Sequence, residues 1–193
     1  MNEYNITPMT QVPDLALMQA MAGGDARALD ELYARYGAGI FSFLMARLGG
    51  ERQLAEEVLQ DVMLAAWNGA GGFRGDSKVL TWLLSIARNR AINATRRRRL
   101  PAVPFHDAIN ARADDTGPLE KVLRQTEHRV VREALVNLPA NQREVLVLVF
   151  YHHLTMNEVA GVLRISTGTV KSRLHRAKEA LRRTLQLEGQ LDA

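Results

Sequence analysis

Residues 166–183, STGTVKSRLHRAKEALRR, combine one apolar stripe with a strongly basic remainder. Four apolar residues recur there at helical spacing: Val170, Leu174, Ala177 and Leu181. This spacing predicts a helix with one buried face. Six of the eighteen residues are Lys or Arg, and Glu179 is the one acid. A solvated helix surface normally mixes both signs in i,i+4 pairs, so this excess of cations favours contact with a polyanion.

A second short helix is predicted directly before this one, over TMNEVAGVL at residues 155–163. Thr155 and Glu158 have the spacing of a capping box, in which hydroxyl and carboxylate each accept a free N–H at the helix start. Two short helices across a tight turn, the second of them basic, fit a helix-turn-helix. Its second helix would place small N-terminal residues at base edges and cations at phosphates.

Charge is distributed unevenly along the 193 residues, although the net charge is only +4. Residues 1–70 carry four basic and nine acidic side chains, whereas residues 71–100 carry eight basic and one acidic. Residues 164–183 carry seven basic and one acidic. Two separate basic blocks beside an acidic one indicate two polyanion contacts and a different partner for the acidic part.

The chain as a whole predicts an all-α fold of two helical domains joined by a flexible linker, with the helix-turn-helix at the C-terminal end. Asp25 is positioned to cap the start of a helix, and Gly49 and Gly50 end that helix. The predicted buried stripe of the helix includes Tyr33. Further helices are predicted over about 51–68, 77–98 and 119–137. Residues 100–118 hold three of the six prolines and no helical period, so they are assigned as the linker. The predicted domains are therefore 1–99 and 119–193.

Several functional classes are disfavoured by the composition. No cysteine is present, which excludes disulfides, thiolate nucleophiles and cysteine-based metal sites. The five histidines lack a recognisable metal-binding spacing, and no nucleophile–base pattern is evident. No secretory signal or membrane-spanning stretch is predicted. We therefore expect no enzyme, no cofactor and no membrane insertion.

Four segments together resemble a known family. GTVKSRLHRAKEAL (168–181) and LPANQREVLVLVFYHHLTMNEVAGVL (138–163) are similar to the −35-binding domain of bacterial RNA polymerase sigma factors of the extracytoplasmic-function class, group IV. AEEVLQDVMLAAW (55–67) is similar to the family's core-polymerase-binding helix. FRGDSKVLTWLLSIARNRAINATRRRR (73–99) is similar to its −10-melting helix. A helix-turn-helix alone would also suit a repressor, but all three motifs in this order indicate a sigma factor.

The resemblance implies three groups of functional residues. The −35 contacts would come from Thr169, Lys171, Ser172, Arg173 and Arg176. The −10 contacts would come from Trp82, Arg88, Asn89, Asn93, Arg96 and Arg97, with Trp82 on a single-strand platform of stacking aromatic and cations. Core polymerase would be bound by Glu56, Glu57, Gln60, Asp61, Leu64 and Trp67. By their pattern alone, Trp82 and Trp67 suit a hydrophobic core equally well.

The same resemblance implies partners and location. The partners are the β′ clamp and β flap of core RNA polymerase, promoter DNA and an anti-sigma factor, and the location is the cytoplasm. Family members thread the matching linker toward the RNA exit path, where Asp107, Asp114 and Asp115 would mimic RNA phosphates. A plain tether suits each of these residues equally well.

Four features depart from the family pattern. Asn93 stands where Asp is common, Val79 and Leu80 replace a frequent Phe-Arg pair, the turn NGAGG is unusually rich in glycine, and Arg164 occupies a turn where Gly is frequent.

Two other readings of the sequence stay open at this point. A plain DNA-binding regulator would bind duplex DNA without polymerase. A sigma-like decoy would bind polymerase without initiating transcription. Neither gives a reason for the combination of Trp82 with arginines on the 77–99 helix.

Overall fold

The computed structural model describes residues 13–99, 134–135 and 137–189, and every regular element in these ranges is helical. The α-helices run in the order α1 Asp14–Ala22, α2 Ala26–Arg47, α3 Arg52–Gly69, α4 Val79–Arg99, α5 Ala140–Leu146, α6 Met156–Leu163 and α7 Thr167–Gly189. The all-α prediction is thus confirmed for the described part of the chain. The predicted linker, 100–118, and nearly all of the predicted 119–137 helix lie outside it.

Local chemistry sets both ends of α2. The Asp25 carboxylate accepts the backbone N–H of Arg27 at 3.1 Å, as the sequence predicted for a helix cap. At the other end, Gly49 and Gly50 adopt φ angles of 74° and 88°. The Gly50 N–H then donates to the Met45 carbonyl at 2.9 Å, which closes the helix in a Schellman motif.

Helices α1 to α4 enclose the first part of the core. Its fully buried large side chains include Met18, Leu32, Phe43, Val62 and Leu84. The predicted burial of Tyr33 in this stripe was wrong, because its side chain is 53% exposed. A Cβ at Gly37, one turn on, would lie 3.3 Å from the Tyr33 ring, so this glycine lets the ring lie along its own helix instead of entering the core.

The glycine-rich turn after α3 allows a close helix approach. A 3₁₀ turn at Ala70–Gly72 follows Gly69, and a Cβ at Gly69 would lie 3.2 Å from the Trp82 indole. The Phe73 and Trp82 rings lie 5.3 Å apart between centroids. Trp82 is therefore partly buried against the N-terminal core, and only part of its ring is free.

The C-terminal half begins with α5, which continues as a π-helical turn over Val147–Tyr151. This wider turn leaves Phe150 and Tyr151 more than half exposed and is followed by His153 at φ 53°. Helices α6 and α7 then form the predicted helix-turn-helix, whose buried side includes Val159, Leu163 and Val170.

The two halves pack directly on each other. α5 lies against α2, and α6 lies against α4. The buried apolar residues of both halves form one continuous cluster. The two halves therefore share one interface, which brings surfaces of the first four helices close to the helix-turn-helix.

Candidate nucleic-acid interface

The start of α6 is fixed by the capping box that the sequence predicted. The Thr155 N–H donates to Glu158 Oε2 at 2.8 Å, and the Glu158 N–H donates to Thr155 Oγ1 at 3.3 Å. Lys78, which precedes α4, adds an ion pair to Glu158 Oε1 at 2.9 Å. Lys78 and the Thr155 cap together lower the pKa of Glu158 to about 2. The helix-turn-helix is thereby anchored by charge to the N-terminal half.

The turn between α6 and α7 contains an arginine with a left-handed backbone conformation. Arg164 caps α6 in the left-handed region, with φ 49° and ψ 49°. This conformation explains why glycine suits the position, since a Cβ is strained there. Ser166 then starts α7, because its Oγ accepts the Thr169 N–H at 3.2 Å.

α7 presents the predicted basic surface. Its inward side holds Val170, Leu174 and Ala177, all of them buried. Lys171 and Arg176 are exposed, whereas Thr169, Ser172 and Arg173 are partly exposed. Arg176 Nη2 donates to Ser172 Oγ at 2.8 Å, which orients the guanidinium along the helix. All five residues predicted for −35 contacts therefore lie within the first three turns of α7, outside its buried stripe.

Hydroxyls and cations occupy different parts of this surface along the helix. Ser166 Oγ and Thr169 Oγ1 lie 2.9 Å apart at the N-terminal end, and the cations follow from Lys171 onward. Hydroxyls and a helix N-terminus suit base edges and phosphate oxygens, and the cations suit the flanking phosphates. Farther along, Lys178 Nζ lies 5.2 Å from the centre of the exposed Phe150 ring.

The predicted −10 residues on α4 do not form one uniform surface. Asn93, Arg96 and Arg97 are exposed, and Trp82 and Asn89 are partly exposed. Together these five side chains place an aromatic ring, two amides and two cations on the surface of α4. Thr95 uses its hydroxyl within the helix, donating to the Ala91 carbonyl at 2.9 Å.

Arg88 is the exception among the −10 residues. Its side chain turns toward the interface between the two halves, where its Nε is buried. Burial lowers its pKa, and the charge of Glu144 on α5 opposes that change. In this arrangement Arg88 faces the protein interior more than it faces solvent.

Glu144 is a residue that sequence reasoning missed. Its side chain is 3% exposed, and Oε1 lies 2.5 Å from Arg47 Nε of α2. Burial raises the pKa of Glu144, while the charges of Arg47, Arg88 and Arg173 act to lower it. The sequence carries no signal for this pairing, because α2 and α5 are far apart along the chain.

The acidic face of α3 lies open. Glu56, Glu57, Gln60 and Asp61 are exposed, and Leu64 among them is 60% exposed. Trp67 is partly buried against the core, so it contributes less to this face than the sequence prediction implied. An exposed leucine beside three carboxylates is typical of a surface that binds another protein through apolar and polar contacts.

Neither a membrane span nor a metal cluster is found where the structure describes the chain. No described helix is long and apolar enough to cross a bilayer. Among the same residues, no three His, Asp or Glu side chains are grouped to hold a metal ion.

Comparison with known proteins identifies the family. The sigma-70 region 2 model matches residues 32–100, and the sigma-70 region 4 model matches residues 134–183. The RNA polymerase sigma-H factor of Pseudomonas aeruginosa is 34% identical over 187 residues, covering 92% of this chain and 96% of that protein. The ECF RNA polymerase sigma factor SigM of Mycobacterium tuberculosis is 35% identical over 174 residues, covering 89% and 84%.

Solved structures agree with this family. CnrH, in complex with the cytosolic domain of CnrY, matches with a TM-score of 0.65 and 27% identity, covering 90% of this chain and 97% of that chain. The chain therefore belongs to the extracytoplasmic-function class of bacterial RNA polymerase sigma factors. It acts in promoter-specific initiation of transcription.

Proposed function

We propose that this chain initiates transcription through three separate surfaces. The acidic face of α3 binds core RNA polymerase, α4 opens and holds the −10 strand, and α7 reads the −35 duplex. The observation that carries the proposal is the chemistry of the three surfaces in the order of the family's regions. One is acidic with an exposed leucine, one is aromatic and cationic, and one is a basic recognition helix.

The −35 assignment rests on the geometry of α7. An exposed N-terminal half with hydroxyls and flanking cations is the arrangement that a major-groove helix needs. Lys171, Arg173 and Arg176 supply phosphate and base contacts. Ser172 holds Arg176 in place through the 2.8 Å hydrogen bond, so it orients the guanidinium before DNA arrives.

The −10 assignment rests on the exposed and partly exposed side chains of α4. Asn93, Arg96 and Arg97 are available to an unpaired strand, and the exposed part of Trp82 offers a stacking face. Each stacked base contributes about 1–3 kcal/mol, which offsets part of the few kcal/mol that unpairing a base costs. Arg88 is less available to the strand, because its Nε is buried.

The polymerase assignment rests on α3. Its carboxylates complement a basic surface such as the β′ clamp, and Leu64 supplies an apolar contact. The C-terminal half would meet the β flap. The role is that of a non-catalytic factor working in the cytoplasm beside polymerase. An anti-sigma protein is the expected regulator, and the similar protein CnrH was solved in complex with the cytosolic domain of CnrY.

Run-off transcription with purified bacterial core polymerase tests the proposal directly. The template is the DNA upstream of the chain's own coding sequence, because factors of this class often regulate themselves. A discrete transcript that depends on the chain supports sigma activity and locates both promoter elements. If there is no transcript but core polymerase is bound, a decoy is favoured. If there is no binding either, a plain DNA-binding regulator is favoured.

Matched substitutions then test the −35 assignment. Arg176→Ala and Lys171→Ala should weaken −35-dependent initiation by roughly tenfold each, in the range of a lost base or phosphate contact. Arg27→Ala is the control, since that exposed arginine pairs with Asp25 at the start of α2, away from α7. Equal promoter output and equal salt dependence for all three variants would remove α7 as the −35 reader.

A further inference from the structure

The π-helical turn after α5 places an aromatic ring against the basic surface of α7. The His152 N–H closes this turn by donating to the Val147 carbonyl at 3.1 Å. Phe150 within the turn is 53% exposed, and its ring centre lies 5.2 Å from Lys178 Nζ. A ring face attracts a cation out to about 6 Å, so this pair is close enough to interact. The ring therefore restricts the position of one cation on the proposed −35 helix.

Lys178 is held differently from a neighbouring cation of α7. Arg182 pairs with Glu179 at 2.7 Å, so part of its charge is neutralised within the chain. Lys178 is exposed and pairs with none of the carboxylates that the structure describes, and its ammonium contacts the Phe150 ring instead. The ring orients this ammonium without neutralising it, and its charge stays available to a partner outside the chain.

The position of Lys178 along α7 indicates what that partner is. Lys178 follows Lys171 by seven residues, which places both on the same side of the helix, two turns apart. α7 starts at Thr167, so Lys178 lies about 16 Å along it. The N-terminal residues of a recognition helix contact base edges, and the major groove is only about 8.5 Å deep. A cation this far along the helix therefore meets the phosphate backbone at the edge of the groove.

We propose that Lys178 binds a phosphate of the −35 duplex and that Phe150 is a positioning residue, which holds the ammonium toward that phosphate. The inference rests on the proposed function, because it extends the assignment of α7 to the −35 element. A lysine side chain loses rotamer freedom when its ammonium binds. The ring restricts the lysine stem before DNA arrives, so less freedom remains to be lost. A carboxylate in place of the ring would also hold the lysine, but it would repel the phosphate.

Salt-dependent promoter binding by the full chain in complex with core polymerase tests both roles. The DNA is the promoter duplex that the run-off transcript locates. Dissociation constants at several salt concentrations compare the parent, Lys178→Gln, Phe150→Leu and the double variant. Phe150→Trp is the conservative variant, because it keeps a ring face beside the lysine. Tyr151→Leu is the matched control, because Tyr151 lies in the same turn and is 54% exposed, whereas the lysine lies over Phe150.

The expected results separate the charge from the ring. Lys178→Gln should weaken promoter binding by roughly tenfold and reduce the slope of log K against log salt by about one. Phe150→Leu should weaken binding by about two- to fivefold, the range of an exposed cation–π contact. The salt slope of Phe150→Leu should stay at the parent value, because the ammonium still reaches the phosphate. Phe150→Trp and Tyr151→Leu should bind as the parent does.

The double variant is the decisive measurement for the positioning role. If the ring acts through the lysine, Phe150→Leu should have no further effect in the Lys178→Gln background. An equal loss in both backgrounds would overturn the positioning role and would show that the ring contacts DNA or polymerase directly. Both side chains are exposed, so each variant should fold as the parent does, which thermal unfolding checks.

Other outcomes would overturn the remaining parts of the inference. An unchanged salt slope in Lys178→Gln would exclude the phosphate contact. An equal loss of binding in Tyr151→Leu would assign the effect to the turn as a whole, not to the ring over the lysine. The proposed function fails in a different way: the parent yields no transcript, or Lys171→Ala and Arg176→Ala leave promoter output and salt dependence unchanged. The two failures are therefore distinguishable.

Discussion

Arg164 shows how one residue can carry local strain inside a DNA-binding motif. Its left-handed backbone, φ 49° and ψ 49°, ends α6 and turns the chain into α7. A residue with a Cβ costs roughly 1–2 kcal/mol in this left-handed region, so the backbone of the turn is strained. The packing of α6 and α7 on each other holds it there.

Replacing this arginine by glycine should therefore stabilise the protein. We expect Arg164→Gly to raise the free energy of unfolding by about 1 kcal/mol, measured by urea denaturation. Arg90→Gly is the matched control, because Arg90 is exposed within α4 and glycine there should cost about 1 kcal/mol. A loss of stability in both variants would contradict the strain at the turn.

Glu158 links the capping box to the other half of the molecule, and its pKa predicts a pH dependence. Lys78 and the Thr155 cap lower that pKa to about 2 from an ordinary value of 4.5. The folded state therefore binds fewer protons than the unfolded state between these values. The stabilisation is fully present above about pH 4.5 and is lost as pH falls toward 2.

Glu158→Gln isolates this effect, because glutamine can still cap the helix but cannot pair with Lys78. The difference in unfolding free energy between the parent and Glu158→Gln should be constant above pH 5 and shrink toward zero near pH 2. In a Lys78→Met background the same difference should be smaller at every pH. A difference that grows on acidification would contradict the ion pair.

At the scale of elements, the acidic face of α3 makes a separable prediction. Leu64→Ala should weaken core polymerase binding by about tenfold, as loss of an apolar anchor in an interface does. Thermal stability should hardly change, since the side chain is 60% exposed. Leu15→Ala on α1, 50% exposed in the free protein, is the control. Equal binding by both variants would place the polymerase contact elsewhere.

Elements whose cause is local were predictable from the sequence. The Asp25 cap, the Thr155–Glu158 capping box and the buried stripe of α7 each depend on residues within a turn or two of one another. The exposed face of α3 followed from helical spacing in the same way. Tyr33 was misplaced because its ring lies over Gly37, a detail that periodicity does not encode.

The part that could not be predicted arises where the two halves meet. Arg47 and Glu144 are separated by nearly a hundred residues, and the buried pair exists only once α5 docks on α2. The half-buried state of Arg88 has the same origin. The sequence predicted Arg88 and Arg173 as cations for DNA, and this stays a prediction. It could not show that the charges of both act on one buried carboxylate.

At the scale of the whole molecule, His152 provides a test of the packed arrangement that changes no charge. Burial lowers the pKa of His152 to about 4, so the ring is neutral near pH 7. A Cβ at Gly39 of α2 would lie 3.3 Å from His152 Cε1. That distance is already tight, so a β-branched side chain at Gly39 must push α2 and the π-helical turn apart.

Gly39→Val should therefore separate the two halves. Because the chain has no cysteine, spin labels can be placed at the exposed positions Ala34→Cys in α2 and Gly161→Cys in α6, and the distance between them should lengthen. Ala38→Val is the matched control, because it adds valine to an exposed neighbouring position of the same helix. Opening in both variants would indicate a general weakening of α2. Opening in neither would show that His152 does not pack on Gly39 in solution, and the closed arrangement would be wrong.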